Sequence, residues 1–92
     1  FGNVGGVGNA GQYPSVYYSF VNKVAKWIHS VDPVHPVAIC NGDALFLDIL
    51  SRYAPDIDVF GCNSYRGACG FEHTIWNDAH KIYDRPVIIT EY

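Results

Sequence analysis

Polar side chains that could do chemistry follow the short apolar runs of this sequence. Asn41 and Asp43 come after VAIC, Asn63 and Tyr65 after DVFGC, and Glu91 after PVIIT; Asn3 joins them if FGNV is the tail of a strand. In parallel α/β sheets ligands bind outside the carboxyl ends of the strands, so these side chains are expected at one edge. Amides, a phenol and a carboxylate suit a neutral, hydroxyl-rich ligand such as a sugar. The alternative is that the amides satisfy loop backbone.

Helical patterns separate these runs and must position them. Apolar residues three and four apart predict an amphipathic helix from Pro14 to about His29, with Val16, Tyr17, Phe20, Val21, Val24, Trp27 and Ile28 on its stripe. Asp43 is the expected cap of a second helix carrying Leu45, Phe46, Ile49, Leu50 and Tyr53. A third stripe consists of Ile75, Trp76, Ala79, Ile82 and Tyr83. Strands joined through helices of this length pair in parallel, which predicts an α/β fold.

The strands themselves indicate a larger sheet. VAIC and PVIIT are continuously apolar, as expected of strands covered on both faces. Three strands alone would expose two unpaired edges, which natural proteins avoid. We therefore expect residues 1–92 to be a fragment of a single larger domain.

The composition of the chain excludes some classes of binding partner. The net charge of −3 comes without a cluster of Lys or Arg, so nucleic acid and anionic membranes are not expected partners. No run approaches the roughly 20 apolar residues of a membrane span, and no signal peptide is recognisable. The compartment stays open, because a targeting segment could be missing. No cofactor is expected.

Two motifs suggest other chemistry. Cys62, Cys69, His73 and His80 could be imagined as a zinc site, but they lack the usual ligand spacings, and buried thiols with surface histidines are favoured, so no metal is predicted. Gly6, Gly8 and Gly11 satisfy G-x-G-x-x-G, with Asp32 about twenty residues on. Only FGNV precedes these glycines, and Asp32 lies before VAIC rather than after a second strand, so a flexible loop is favoured.

Three longer segments carry a family resemblance. DPVHPVAICNGD, YAPDIDVFGCNSYRG and RPVIITEY resemble the second half of the catalytic TIM barrel of retaining glycoside hydrolases, most closely the beta-galactosidase and beta-glucuronidase family. The resemblance spans nearly the whole chain, and DVFGCNSY and ITEY are its most specific elements. It implies a partial (β/α)8 barrel that runs from the end of the fourth strand to the seventh, with the intervening helices. The remainder of the barrel would then be needed for folding.

By this resemblance Glu91 matches the nucleophile at the end of the seventh strand. Tyr65 matches the residue that hydrogen-bonds the nucleophile and keeps it ionised. The family's acid/base glutamate follows a Gly-Asn pair, whereas this sequence has Gly2, Asn3 and Val4. Valine cannot donate a proton. Glu72, the other glutamate of the chain, has no support from the family pattern as a substitute, and a solvated loop charge is the favoured role.

Two functions from different classes follow. The first is part of a glycoside hydrolase that cleaves O-glycosidic bonds with retention, in which Glu91 attacks the anomeric carbon and Asn3, Asn41, Asp43 and Asn63 contact the carbohydrate. The second is a non-catalytic sugar-binding relative or inactive fragment. Val4 favours the second, and Glu91 with Tyr65 favours the first. The chain alone is expected to be inactive, and neither the sugar nor the linkage is specified.

Overall fold

The computed structural model describes residues 11–65 and 73–92, with residues 73 and 74 described by their backbone alone. Helices and strands alternate along this part of the chain. The helices are α1 (Pro14–Val31), α2 (Leu47–Tyr53) and α3 (His73–Ile82), and the strands are β1 (Ala38–Gly42), β2 (Val59–Asn63) and β3 (Val87–Glu91). All pairing is parallel, in the order β1-β2-β3. Within these residues no helix is long and apolar enough to cross a membrane.

The first helix begins and ends where its sequence dictates. Pro14 occupies the first turn, where its missing N–H costs no hydrogen bond. At the other end, the carboxylate of Asp32 accepts hydrogen bonds from the backbone N–H groups of Val34 (3.1 Å) and His35 (3.3 Å). Such side-chain bonds favour a turn over further helix. The chain therefore leaves α1 in a tight turn and enters β1.

The second helix starts later than the sequence predicts. Asp43 does not cap it, because α2 begins at Leu47 and Phe46 precedes it in the left-handed region, with φ 55°. Asp43 is also left-handed, with φ 50°, and its carboxylate accepts a bond from the N–H of Ala44 at 2.8 Å. The predicted cap is wrong, since Asp43 instead forms a turn directly after β1.

The core lies on one face of the sheet. Ile39 of β1 pairs in register with Phe60 of β2, so their side chains point the same way, and both are buried. Residues from all helices pack against them: Tyr18, Ala25, Leu47, Leu50, Ile75 and Ala79, with Tyr83 just beyond α3. On the opposite face Ala38, Cys40 and Ile88 are exposed. The described chain thus covers one face of the strands, whereas their apolar runs predicted two covered faces.

The prediction of a partial (β/α)8 TIM barrel is wrong. Residues 11–65 and 73–92 form a small α/β unit with a parallel sheet of three strands and three helices, and the radius of gyration is 13.0 Å. A compact domain of about 100 residues has about this radius. Alternation of strands and helices is shared by every parallel α/β sheet and does not specify closure into a barrel. The FGN segment assigned to the end of a fourth strand lies outside the described residues.

Gly61 allows the central strand to pack closely against its neighbour. A Cβ atom at this position would lie 2.3 Å from the backbone oxygen of Ile39 and 3.0 Å from Cγ2 of Thr90. Only the second contact is with a side chain. Glycine at this point of β2 is therefore required by the approach of the backbone.

We predict that Gly61→Ala lowers the free energy of unfolding by about 1–3 kcal/mol, because the added methyl overpacks the site. Urea denaturation followed by circular dichroism measures this. Adding Thr90→Ser to Gly61→Ala removes the side-chain contact but leaves the carbonyl contact, so the double variant should stay destabilised. Full recovery in the double variant would show that the backbone oxygen is not the obstacle.

Asp58 ties the amino ends of β1 and β2 to helix α1. Its carboxylate accepts a hydrogen bond from the N–H of Val37 at 2.8 Å and lies 2.7 Å from Nε2 of His29. The bond from Val37, with a smaller contribution from His29, lowers the pKa of Asp58 against the opposing effect of desolvation. The folded state therefore favours the ionised carboxylate.

We predict that this contribution disappears at acid pH. Because the folded-state pKa of Asp58 lies below the unfolded value of about 3.9, the stabilisation is complete above that value and is lost as pH falls through the folded-state pKa. Urea denaturation from pH 6 to pH 2 should show a shallower acid loss in Asp58→Asn than in the wild type. Asp32 also has a lowered pKa, mainly from its bond to His35, so part of the loss should persist. An Asp58→Asn variant that keeps the full wild-type acid slope would contradict the assignment.

Candidate functional site

An irregularity in β3 places the candidate nucleophile. Cys62 pairs with Ile89, but the next residue of β2, Asn63, pairs with Glu91, so Thr90 is an extra residue on β3. In a regular strand consecutive side chains point to opposite faces. Here Thr90 and Glu91 both reach the side chain of Asn63. Bulges of this kind re-aim a side chain, and this one brings Glu91 beside Asn63.

The Glu91 carboxylate receives two hydrogen bonds, one at each oxygen. The amide nitrogen of Asn63 donates to Oε1 at 3.0 Å, and the phenol of Tyr65 donates to Oε2. The amide is oriented in turn by the hydroxyl of Thr90, which donates to Oδ1 of Asn63. Asn63 is buried, whereas Glu91 and Tyr65 are exposed. The carboxylate is thus held in place and remains open to solvent.

The Glu91 carboxylate raises the pKa of its hydrogen-bond donor, the phenol of Tyr65. The pKa of Tyr65 is raised, first by the hydrogen bond that its hydroxyl donates to Glu91, then by desolvation and by the charge of Glu91. A phenolate would lose that bond and face a like charge. Tyr65 is therefore a stable proton-bearing donor to Glu91 and is poorly suited to act as a base.

Asp43 and Ser64 lie at the same edge of the sheet. The N–H of Asp43 donates to the backbone oxygen of Asn63 at 2.9 Å, and the N–H of Ser64 donates to that of Glu91 at 2.9 Å. The Ser64 hydroxyl donates to Oδ2 of Asp43 at 3.3 Å. These bonds continue the hydrogen bonding between neighbouring strands beyond the last residues of β1 and β2. Asp43 therefore faces the same carboxyl edge as Glu91, on the far side of β2.

Asn41 has a different role from the other candidates. It is only 2% exposed. Its oxygen accepts the hydroxyl of Tyr18 at 2.7 Å, and its nitrogen donates to the backbone oxygens of Asp43 (3.1 Å) and Leu45 (2.9 Å). This amide holds the loop between β1 and α2, which is the loop-backbone alternative raised by the sequence.

The structure therefore brings three of the six predicted site residues into direct contact: Asn63, Tyr65 and Glu91. Asp43 lies along the same edge, whereas Asn41 is buried and bonded to the loop after β1. Asn3 is outside the described residues. Val4 and Glu72, on which the identity of an acid/base depends, are also outside them, as is the glycine motif up to residue 10.

The imagined zinc ligands stand apart where they are described. Cys62 is fully buried in the core, and Nδ1 of His80 lies 3.3 Å from Oδ1 of Asp84 on the surface. Cys69 and the side chain of His73 are not among the described parts. Across residues 11–65 and 73–92 no group of three or more His, Cys, Asp or Glu side chains could hold a metal ion.

Sequence reasoning missed two residues of this edge, Thr90 and Ser64. Thr90 sits within an apolar run and gives no chemical signal of its own. Its position is the one sequence signal, since Thr90 is the only polar residue among the five preceding Glu91. Ser64 follows Asn63 directly, but its bond to Asp43 spans 21 positions and could not be deduced from spacing.

Chemically, the arrangement presents an oriented carboxylate that is exposed to solvent. Such a group can accept hydrogen bonds from ligand hydroxyls or attack an electrophilic carbon. Comparisons with protein-family models, with curated proteins and with solved structures found no match for this chain. What the site does is therefore argued from its own geometry.

We predict that Glu91→Gln lowers the pKa of Tyr65 toward the ordinary tyrosine value, because the substitution removes the carboxylate that accepts the hydrogen bond of the phenol and, with it, the negative charge that opposes phenolate formation. Carbon NMR of Cζ-labelled tyrosine across pH 8–12 reports each phenol separately. Tyr18 is the internal control, since its pKa, raised to about 12 mainly by burial, should not move. An unchanged Tyr65 titration would mean that its phenol is not bonded to Glu91 in solution.

Proposed function

We propose that Glu91 is the nucleophile of a site that cleaves O-glycosidic bonds with retention. The observation that carries the proposal is the Glu91 carboxylate, fixed by donors from Asn63 and Tyr65 and exposed at the carboxyl edge of a parallel sheet. This is where ligands of such sheets bind. The resemblance of ITEY and DVFGCNSY to retaining glycosidases supports the same roles. The proposal concerns the site and does not depend on a barrel.

In the first chemical step an oxygen of Glu91 forms a bond to the anomeric carbon while the bond to the leaving oxygen breaks. A general acid protonates the leaving oxygen as this bond breaks. In the second step water attacks the same carbon, the bond to Glu91 breaks, and a base takes the proton from water. The donors from Asn63 and Tyr65 hold the carboxylate in position for attack.

The carbohydrate would lie along the edge between Glu91 and Asp43. These residues stand on opposite sides of β2, so their backbones are about two strand spacings, or roughly 10 Å, apart. The carboxylate of Asp43 is a hydrogen-bond acceptor for sugar hydroxyls. Tyr65, which is 66% exposed, adds an aromatic surface of the kind on which a sugar ring can pack.

A carbohydrate-binding protein without catalysis is the second candidate. The observation in its favour is Val4, which stands where the resemblance requires the acid/base glutamate. Without an acid or base, the edge could still bind hydroxyl groups through Glu91 and Asp43. The two candidates differ in whether Glu91 ever forms a covalent bond.

We predict that a 2,4-dinitrophenyl 2-deoxy-2-fluoroglycoside labels Glu91. This leaving group departs without a proton, and the fluorine slows the second step, so the glycosyl-enzyme accumulates even if no acid is present. Labelling needs one attack by Glu91 and no turnover, so it is compatible with a chain that is inactive as a hydrolase by itself. Intact-mass measurement of the 92-residue protein should show one added fluorosugar, and peptide mapping should place it on Glu91. The gluco- and galacto-configured reagents should be compared, since the sugar is not specified.

Matched variants separate the outcomes. Glu91→Gln should abolish labelling, and Tyr65→Phe should slow it about tenfold through loss of a hydrogen bond to a charged group. Tyr53→Phe, which changes an exposed tyrosine on α2, should have no effect. Sugar-dependent NMR shifts at Asn63 and Tyr65 without labelling would establish the binding candidate in place of the hydrolase. If the protein showed neither labelling nor sugar-dependent shifts, both candidate functions would be contradicted.

A further inference from the structure

Helix α1 has apolar side chains on two faces. The face toward the core buries Tyr18, Asn22 and Ala25. The apolar stripe of an amphipathic helix normally faces the core, but much of the predicted stripe points outward: Val16 is 67% exposed, Phe20 58%, Val24 39% and Trp27 65%. Val31 at the end of the helix is 68% exposed. Exposed apolar side chains gathered on one face of a helix often mark an interaction site. The outer face of α1 therefore lacks a covering element among the described residues.

The spacing of these outward residues specifies what would cover them. Val24 and Val31 are seven residues apart, as are Tyr13, Phe20 and Trp27, and all five are exposed. Tyr17 continues the first row but is partly buried against the core. The two rows alternate by four and three residues, which makes the first row position a and the second position d of a heptad repeat. A repeat of 3.5 residues keeps a seam facing another α-helix, and from Phe20 to Val31 every a and d side chain of α1 is exposed. We call this surface the α1 seam.

A groove beside the α1 seam extends the same surface. It lies between α1 and β1, has a volume of about 190 Å³, and is lined by apolar side chains that include Phe20, Val24, Ile28 and Ile39. Phe20 and Val24 belong to both the groove and the seam. Strand β1 lies at one edge of the described sheet. A helix lying on the seam could place its larger side chains in the groove.

The charges on α1 favour a different partner over a second copy of this chain. Lys23 occupies position g, beside the seam, and makes no ion pair with another described residue; Lys26 lies 3.9 Å from Asp56. Helix α1 contains no Asp or Glu. A second α1 could therefore offer Lys23 no opposite charge, and an antiparallel pair that sets Phe20 against Val24 would bring two copies of Lys23 close together. A helix with an acidic border fits the seam better.

We propose that the α1 seam docks an amphipathic α-helix from a partner segment, with large apolar residues at its a and d positions and a carboxylate facing Lys23. The groove between α1 and β1 receives apolar side chains of that helix. This inference does not rest on the Glu91 site, because the α1 seam shares no residue with that site.

The test uses two synthetic 28-residue peptides with leucine at every a and d position. One carries glutamate at all e and g positions, and the other carries lysine there; like charges keep each peptide from pairing with itself. The protein is observed by nitrogen NMR of its two indole N–H groups, Trp27 in the seam and Trp76 as internal reference. The acidic peptide should shift the Trp27 signal saturably and leave that of Trp76 in place. The basic peptide should bind at least about tenfold more weakly.

Two surface variants sharpen the result, and neither touches the core. Lys23→Glu should reverse the preference between the peptides, and Phe20→Ser should remove binding of both. Val34→Ser, at an exposed apolar residue outside the seam, should behave as wild type. A concentration-dependent dimer in sedimentation, lost in Phe20→Ser, would overturn the proposal in favour of a second copy. Equal binding of the two peptides, or no shift at Trp27, would also overturn it.

Discussion

The candidate site depends on one extra residue in the last strand. Because Thr90 is not matched by a residue of β2, Glu91 takes the place opposite Asn63 and both side chains reach the same amide. Without the bulge, Thr90 would be the partner of Asn63 and the Glu91 side chain would turn to the other face of the sheet. The register of two strands therefore decides whether the carboxylate meets its donors.

That register is supported from both ends of β2. At the amino end, the hydroxyl of Tyr83 donates to the backbone oxygen of Ala54 at 2.7 Å, and Nε of Arg85 donates to that of Ile57 at 2.8 Å, which holds the chain that leads into the strand. In the middle, Gly61 lets the backbone of β1 approach. At the carboxyl end, the N–H of Ser64 donates to the backbone oxygen of Glu91. The site is thus built on backbone contacts made by regular elements.

The buried amides of the chain work as structural ties. Asn22 of α1 donates to the carboxylate of Asp56 and accepts from the N–H of the same residue, both at 2.8 Å, and Asn41 holds the loop after β1. Such groups are satisfied on both sides, as burial requires. Asn63 belongs to this class by its burial but differs in its partner, because its amide nitrogen donates to an exposed carboxylate, that of Glu91. That difference separates a structural amide from one that serves the site.

The sequence by itself determined the elements and their order: the helical periodicity, the short apolar strands and the parallel α/β class are all present in the structure. It also placed Asn63, Tyr65 and Glu91 at one edge, because the carboxyl ends of parallel strands lie together. Tertiary structure alone decided the rest. Whether the sheet closes into a barrel depends on how distant parts of the backbone meet. The same holds for the start of α2 after a left-handed Phe46, the outward face of α1 and the bulge at Thr90. Local periodicity records which residues are apolar, but it carries no information on which of two apolar faces meets the core or where a strand takes in one residue more than its neighbour.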